Sequence, residues 1–210
     1  YAQAHNTVVI TEDGILRLTK TASATQIQPN GVLTFFIRGS NASTTPVPPV
    51  HLSIDGVSRQ KVLVVDAIPV NTLFESVVQS PPHAQVVYHH VGDALMSYRT
   101  SPPADLRFLD KIGFVFDGIA SLETVNLAFS VRASAIYAVP LQHTAQVYQR
   151  HNERNEVVFN SNTVDVLVVQ PGAAGIHFYQ NNQYQQVAPL GHTGQPLFVQ
   201  AGAALCNQNA

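Results

Sequence analysis

No long stretch of this chain carries a 3.6-residue apolar period, whereas short segments rich in Val, Ile, Leu, Phe and Tyr recur along its whole length, separated by Gly, Pro, Asn and Asp. That punctuation belongs to β-strands. Strand-like segments run from Thr7 to Thr11, Ile15 to Thr19, Val32 to Arg38, Val50 to Ile54, Lys61 to Ala67, Gln85 to His90, Ala94 to Tyr98 and Lys111 to Phe116. They continue from Thr124 to Val139, Glu156 to Phe159, Val164 to Gln170, Ile176 to Gln180 and Pro196 to Gln200. Asp13-Gly14 joins the first two as a hairpin, and Gly92-Asp93 marks a second tight turn. Without crossover helices the strands cannot form a parallel α/β sheet, so the chain is predicted to be an all-β antiparallel sandwich.

Alternation identifies the buried faces. Val125, Leu127, Phe129 and Val131 fall on one side of their strand, with Asn126, Ala128, Ser130 and Arg132 on the other. Val62-Leu63-Val64-Val65 and Val166-Leu167-Val168-Val169 do not alternate and are expected to be covered on both faces. Val70 to Gln79 supplies at most one short helix, because Leu73, Phe74, Val77 and Val78 sit at helical spacing. The most polar and least patterned stretch runs from His143 to Glu156. It divides an expected main sandwich, residues 1–142, from a C-terminal β extension packed on it, residues 143–210.

Charged residues are only 11% of the 210, against about 25% in ordinary soluble domains. Polarity comes from Asn, Gln, Ser and Thr, which suits a surface covered by copies of itself or displayed in an assembly. No Lys/Arg cluster tracks phosphates, so nucleic acid would be bound only through a segment not present in these residues. No apolar run approaches the ~18 residues that a spanning helix needs, so no membrane span is expected. Tyr1 in place of an initiator methionine implies processing or truncation before it.

Enzyme chemistry has no motif here. There is no GxSxG, HExxH or phosphate loop, and Cys206 is the only cysteine. His83, His89, His90 and Asp93 form the densest titratable group, but adjacent residues on a strand face opposite sides and do not chelate one ion, so surface or edge-strand histidines are expected. Asp13, Asp55, Asp93 and Asp117 each sit beside a glycine, where turn chemistry explains them. The chain is therefore read as a non-enzyme, with no catalytic residue, metal or cofactor. Two features point to contact instead. Tyr179, Asn181, Asn182 and Tyr184 form an amide-rich aromatic tract suited to recognition or to an interface, and Asn41-Ala42-Ser43 is a glycosylation sequon at Asn41 in a Pro-rich loop.

Between Asp105 and Leu141 the chain reads Leu106-Arg107-Phe108, Ile112-Gly113-Phe114-Val115-Phe116-Asp117-Gly118, Val125 through Val131, and Ile136-Tyr137-Ala138-Val139-Pro140. This resembles the closing hairpin of single-jelly-roll coat proteins of small icosahedral RNA viruses, the nodavirus-like and tombusvirus-like groups. The resemblance implies a sandwich of jelly-roll type, a self-assembled shell as a capsid subunit, homo-oligomeric partners and a place in the virion. Asn209-Ala210 resembles the junction cut during maturation in nodavirus-like coats, although no catalytic role is assigned to Asn209. Two alternatives stay open: an extracellular or cell-surface adhesin or fibre head that binds a glycan or receptor, and an extracellular filament subunit assembled by strand addition through Tyr1 to Ile10.

Overall fold

A computed structural model describes residues 13–134, 140–151, 154–169, 174–180, 183–190 and 198–200. The strands in chain order are β1 (Leu16–Ala22), β2 (Gln26–Ile27), β3 (Val32–Asn41), β4 (Val50–Ile54), β5 (Val57–Ala67), β6 (Thr72–Gln79), β7 (Gln85–His90) and β8 (Ser97–Tyr98). A 3-10 turn, Leu106–Phe108, precedes β9 (Leu109–Phe116) and β10 (Thr124–Ala133). Next come β11 (Pro140–His143), β12 (Ala145–His151), β13 (Arg154–Asn160), β14 (Val164–Val168), β15 (Ala174–Gln180), β16 (Gln183–Leu190) and β17 (Phe198–Gln200). The fold is an all-β sandwich.

One layer is antiparallel, in the order β1-β3-β10-β6. The facing layer is built on β5, whose first half pairs with β4 and whose second half lies between β12 and β9, with β13 and β7 outside them. A smaller sheet, β11-β14-β2, packs against the same core, so β12 and β14 are both hydrogen-bonded into the body that residues 13–134 form. Strands β15 to β17 make a further three-stranded sheet.

Period two determines what each strand buries. Val125, Leu127, Phe129 and Val131 of β10 all point into the space between the layers and meet Leu33, Phe35 and Ile37 of β3 there. In β5, Val62 and Val64 face this main core, while Leu63 and Val65 join Val50, Leu52, Ile54, Val115 and Tyr98 in a second apolar cluster on the outer side. Gly113 of β9 is required by that second cluster: a Cβ there would come within 2.8 Å of Val87 Cγ2 and 3.0 Å of Leu63 Cδ1. The β4–β5 hairpin turns through Asp55 and Gly56, both at positive φ (50° and 79°), which is the backbone a two-residue hairpin with native twist demands.

Three expectations change. Val70 to Gln79 is not helical; β6 occupies it. Its pairing with β10 contains two register shifts, and each inserted residue reverses the inward phase. Phe74 and Val77 therefore both turn toward the core although they are three apart, which mimics helical spacing. The run at Val166 is not covered on both faces, since Val166 and Val168 are buried and Leu167 is 37% exposed: β14 sits in a sheet with one solvated face. The segment that resembles a viral closing hairpin is not a hairpin. Its two strands, β9 and β10, lie in opposite layers, β9 between β5 and β7 and β10 between β3 and β6. The expected hairpin at Asp13-Gly14 cannot be followed, because residues 7–11 lie outside the described residues.

Asn41 ends β3 and is 1% exposed. Its Nδ2 donates to the carbonyls of Thr45 (2.8 Å) and Ala120 (2.9 Å), and its Oδ1 accepts from the Ser43 N–H (3.1 Å) and hydroxyl (2.6 Å). A glycan at this amide would displace one of the two donated bonds. Asn41→Ala is expected to cost about 1–3 kcal/mol, since it leaves buried partners unsatisfied; urea unfolding of the two proteins side by side measures the difference.

Candidate functional site

The inward phase of three strands brings ionisable groups to one point in the main core. On β1 the buried side is Leu16, Leu18 and Lys20; on β5 it is Val62, Val64 and Asp66; His143 closes β11 one inward position after Leu141. The side chains of Lys20 and Asp66 are 0% accessible, and that of His143 is 6%. Lys20 Nζ is hydrogen-bonded to Asp66 Oδ2 and to His143 Nδ1. His143 Nδ1 also lies 2.7 Å from Asp66 Oδ1, although Oδ1 makes no aligned hydrogen bond.

Aromatic rings wall this cluster. Nζ stands 4.3 Å from the Phe35 ring centre and 5.9 Å from that of Phe129, and the His143 imidazole stacks on Phe35 at 5.3 Å. Burial pushes the Lys20 pKa below the usual lysine range, and the charge and hydrogen bond of Asp66 oppose that shift. Two side-chain amides fix β1 in place along its outer edge. Asn162 accepts from the Lys20 N–H (2.8 Å) and donates to its carbonyl (2.9 Å); Gln149 accepts from the Leu16 N–H (2.9 Å) and donates to the Gly14 carbonyl (2.7 Å). The amides stand in for a neighbouring strand and set the depth at which Lys20 enters the core.

None of these three residues is marked by a sequence motif. The available signal was phase in β1, where Lys20 continues the inward alternation of Leu16 and Leu18; Asp66 follows a run that does not alternate, so its inward side is seen only in the folded chain. Of the recognition tract, Tyr179 and Tyr184 are cross-strand partners in the β15–β16 backbone register, while Asn181 and Asn182, and the side chains of the two tyrosines, lie outside the described residues. The histidine group does not converge. His89 is 4% exposed, not superficial, and its ring nitrogens face Asp110 (2.6 Å) and the Ala94 carbonyl (3.1 Å); His83 pairs with Glu123 (3.0 Å). Among the described residues no set of three His, Cys, Asp or Glu side chains is placed to hold a metal. The turn acids are paired on the surface, Asp93 with Arg99, Asp117 with Lys61, and Asp55 with Thr100.

Residues 32–162, more than half of the chain, match the family model described as a domain of unknown function, DUF7925. The chain belongs to the DUF7925 family. The matched span holds Asp66 and His143, while Lys20 precedes it. No curated protein matches this DUF7925 chain. Among solved structures it is similar to the full-length major pilin SpaD of Corynebacterium diphtheriae, at 14% identity and a TM-score of 0.46, over 78% of this chain and 36% of the pilin. It is similar to BcpA, the major pilin subunit of Bacillus cereus, at 9% identity and a TM-score of 0.43, over 79% of this chain and 43% of that one. It is also similar to the collagen-binding domain of a Staphylococcus aureus adhesin, at 11% identity and a TM-score of 0.36, over 75% and 98%. The DUF7925 chain thus spans less than half the length of these pilins. The coat-protein resemblance, with its capsid and virion reading, is overturned: the similar structures include bacterial pilins and adhesins, and the two strands that carried the resemblance occupy different layers.

Proposed function

We propose that the chain is a non-enzymatic structural module of an extracellular or cell-surface protein, acting through contact with copies of itself or with a matrix or receptor surface. The observation that carries this reading is the location of its concentrated chemistry. Lys20, Asp66 and His143 converge inside the sandwich, behind Phe35 and Phe129, where no external substrate reaches them. A cluster sealed in that way serves the fold and not a turnover reaction. The charge-poor, amide-rich composition supports display in an assembly, and pilins and adhesins are among the proteins to which the fold is similar. Surface labelling of intact source cells with an antibody against the chain tests the proposal. Labelling without permeabilisation is expected; a signal confined to lysed cells would overturn it.

A further inference from the structure

From the Lys20, Asp66 and His143 geometry we infer that the chain forms a covalent amide between Lys20 Nζ and Asp66 Cγ, an internal cross-link that staples one layer of the sandwich to the other. The inference rests on the reading that this cluster serves the fold. β1 is the edge strand of one layer and β5 the centre of the opposite layer, and their two reactive groups already touch. Holding reactants at contact supplies an effective molarity of about 10⁵–10⁸ M for a well-oriented pair, which favours condensation that dilute amine and carboxylate do not undergo. Exclusion of water by Phe35 and Phe129 removes the hydrolytic alternative. Burial also weakens the hold of Lys20 on its proton, and a neutral amine is the nucleophile.

The step balances without any co-reactant. The ammonium passes one proton to His143 Nδ1, and the freed lone pair of Nζ adds to Cγ of Asp66. The bond from Cγ to Oδ2 then breaks, and that oxygen departs as water with two of the three ammonium protons, one of them returned by His143. The third proton remains on the amide nitrogen, and the positive and negative charges cancel. Asp66 Oδ1, the carboxylate oxygen that accepts no aligned hydrogen bond, becomes the amide oxygen with His143 Nδ1 2.7 Å away. A buried ion pair, costly to desolvate, is replaced by a neutral group.

Mass spectrometry of the purified chain under denaturing conditions reads the bond directly. The wild-type protein is expected to be lighter than its sequence by one water, and proteolysis should yield the peptide holding Lys20 joined to the peptide holding Asp66. Lys20→Met and Asp66→Ala should have full sequence mass, and His143→Ala should cross-link roughly 100-fold more slowly, the scale of a lost proton-transfer group. Full sequence mass with separate peptides in the wild-type protein would overturn the inference, whether or not the variants fold. The outcome is separable from that of surface labelling: a displayed chain of unshifted mass removes the bond alone, and a cross-linked chain confined inside cells removes the surface role alone.

Discussion

Lys20→Met should lower the melting temperature by on the order of 10 °C. A link between positions 46 residues apart removes about 4 kcal/mol of chain entropy from the unfolded ensemble, and for a chain of this length each kcal/mol corresponds to about 2–4 °C. Methionine keeps most of the buried volume while removing both nucleophile and charge, so loss of packing contributes little. The same substitution strands the Asp66 carboxylate in the core, which adds to the effect. A double variant, Lys20→Met with Asp66→Leu, separates the two contributions. If the residues formed only an ion pair, the apolar replacement should be neutral or stabilising. If they form the amide, the double variant should remain about 4 kcal/mol below wild type. Calorimetric melts of the three proteins decide between these results, and a double variant as stable as wild type would count against the cross-link.

Phe35→Ala is expected to cost about 3–5 kcal/mol, the range for deleting a fully buried aromatic side chain. Phe35 occupies the centre of β3, is fully buried, packs on Phe129 at 5.6 Å and supports both the Lys20 ammonium and the His143 ring. Its removal opens a cavity beside the cluster, so water gains access to the reacting atoms and the fraction of cross-linked chain should fall. Urea unfolding measures the first effect and intact mass the second. A loss below about 1 kcal/mol would mean that the site collapses around the deletion, contrary to the close packing expected of a sandwich core.

Much of the architecture was legible because strand physics is local. Alternation in β10 named its core-facing side chains, although Ala128 and Ser130 on the other face are buried as well, and the unbroken apolar run in β5 announced burial on both faces. Where the backbone departs from regular pleating, the same logic misled. The two bulges in β6 changed its phase and imitated a helical period, a consequence of pairing with β10 that no window of β6 alone contains. The viral resemblance failed for a related reason: β9 and β10 are each unmistakable strands, but nothing local states that successive strands belong to opposite layers.

By itself, then, the order of residues settled the all-β class, the position of most strands and the inward side of a regular strand such as β10, because these depend on period, turn chemistry and apolar content over a few residues. Lys20 and Asp66 were not singled out by it, because nothing local marks a buried lysine or aspartate. Only the tertiary structure decided that these two side chains face each other, and that His143, 123 positions from Lys20, arrives between them. Sheet order and layer pairing are set by burial summed over the whole core, which is a non-local quantity, and the chemistry of the site exists only once that sum has chosen its partners.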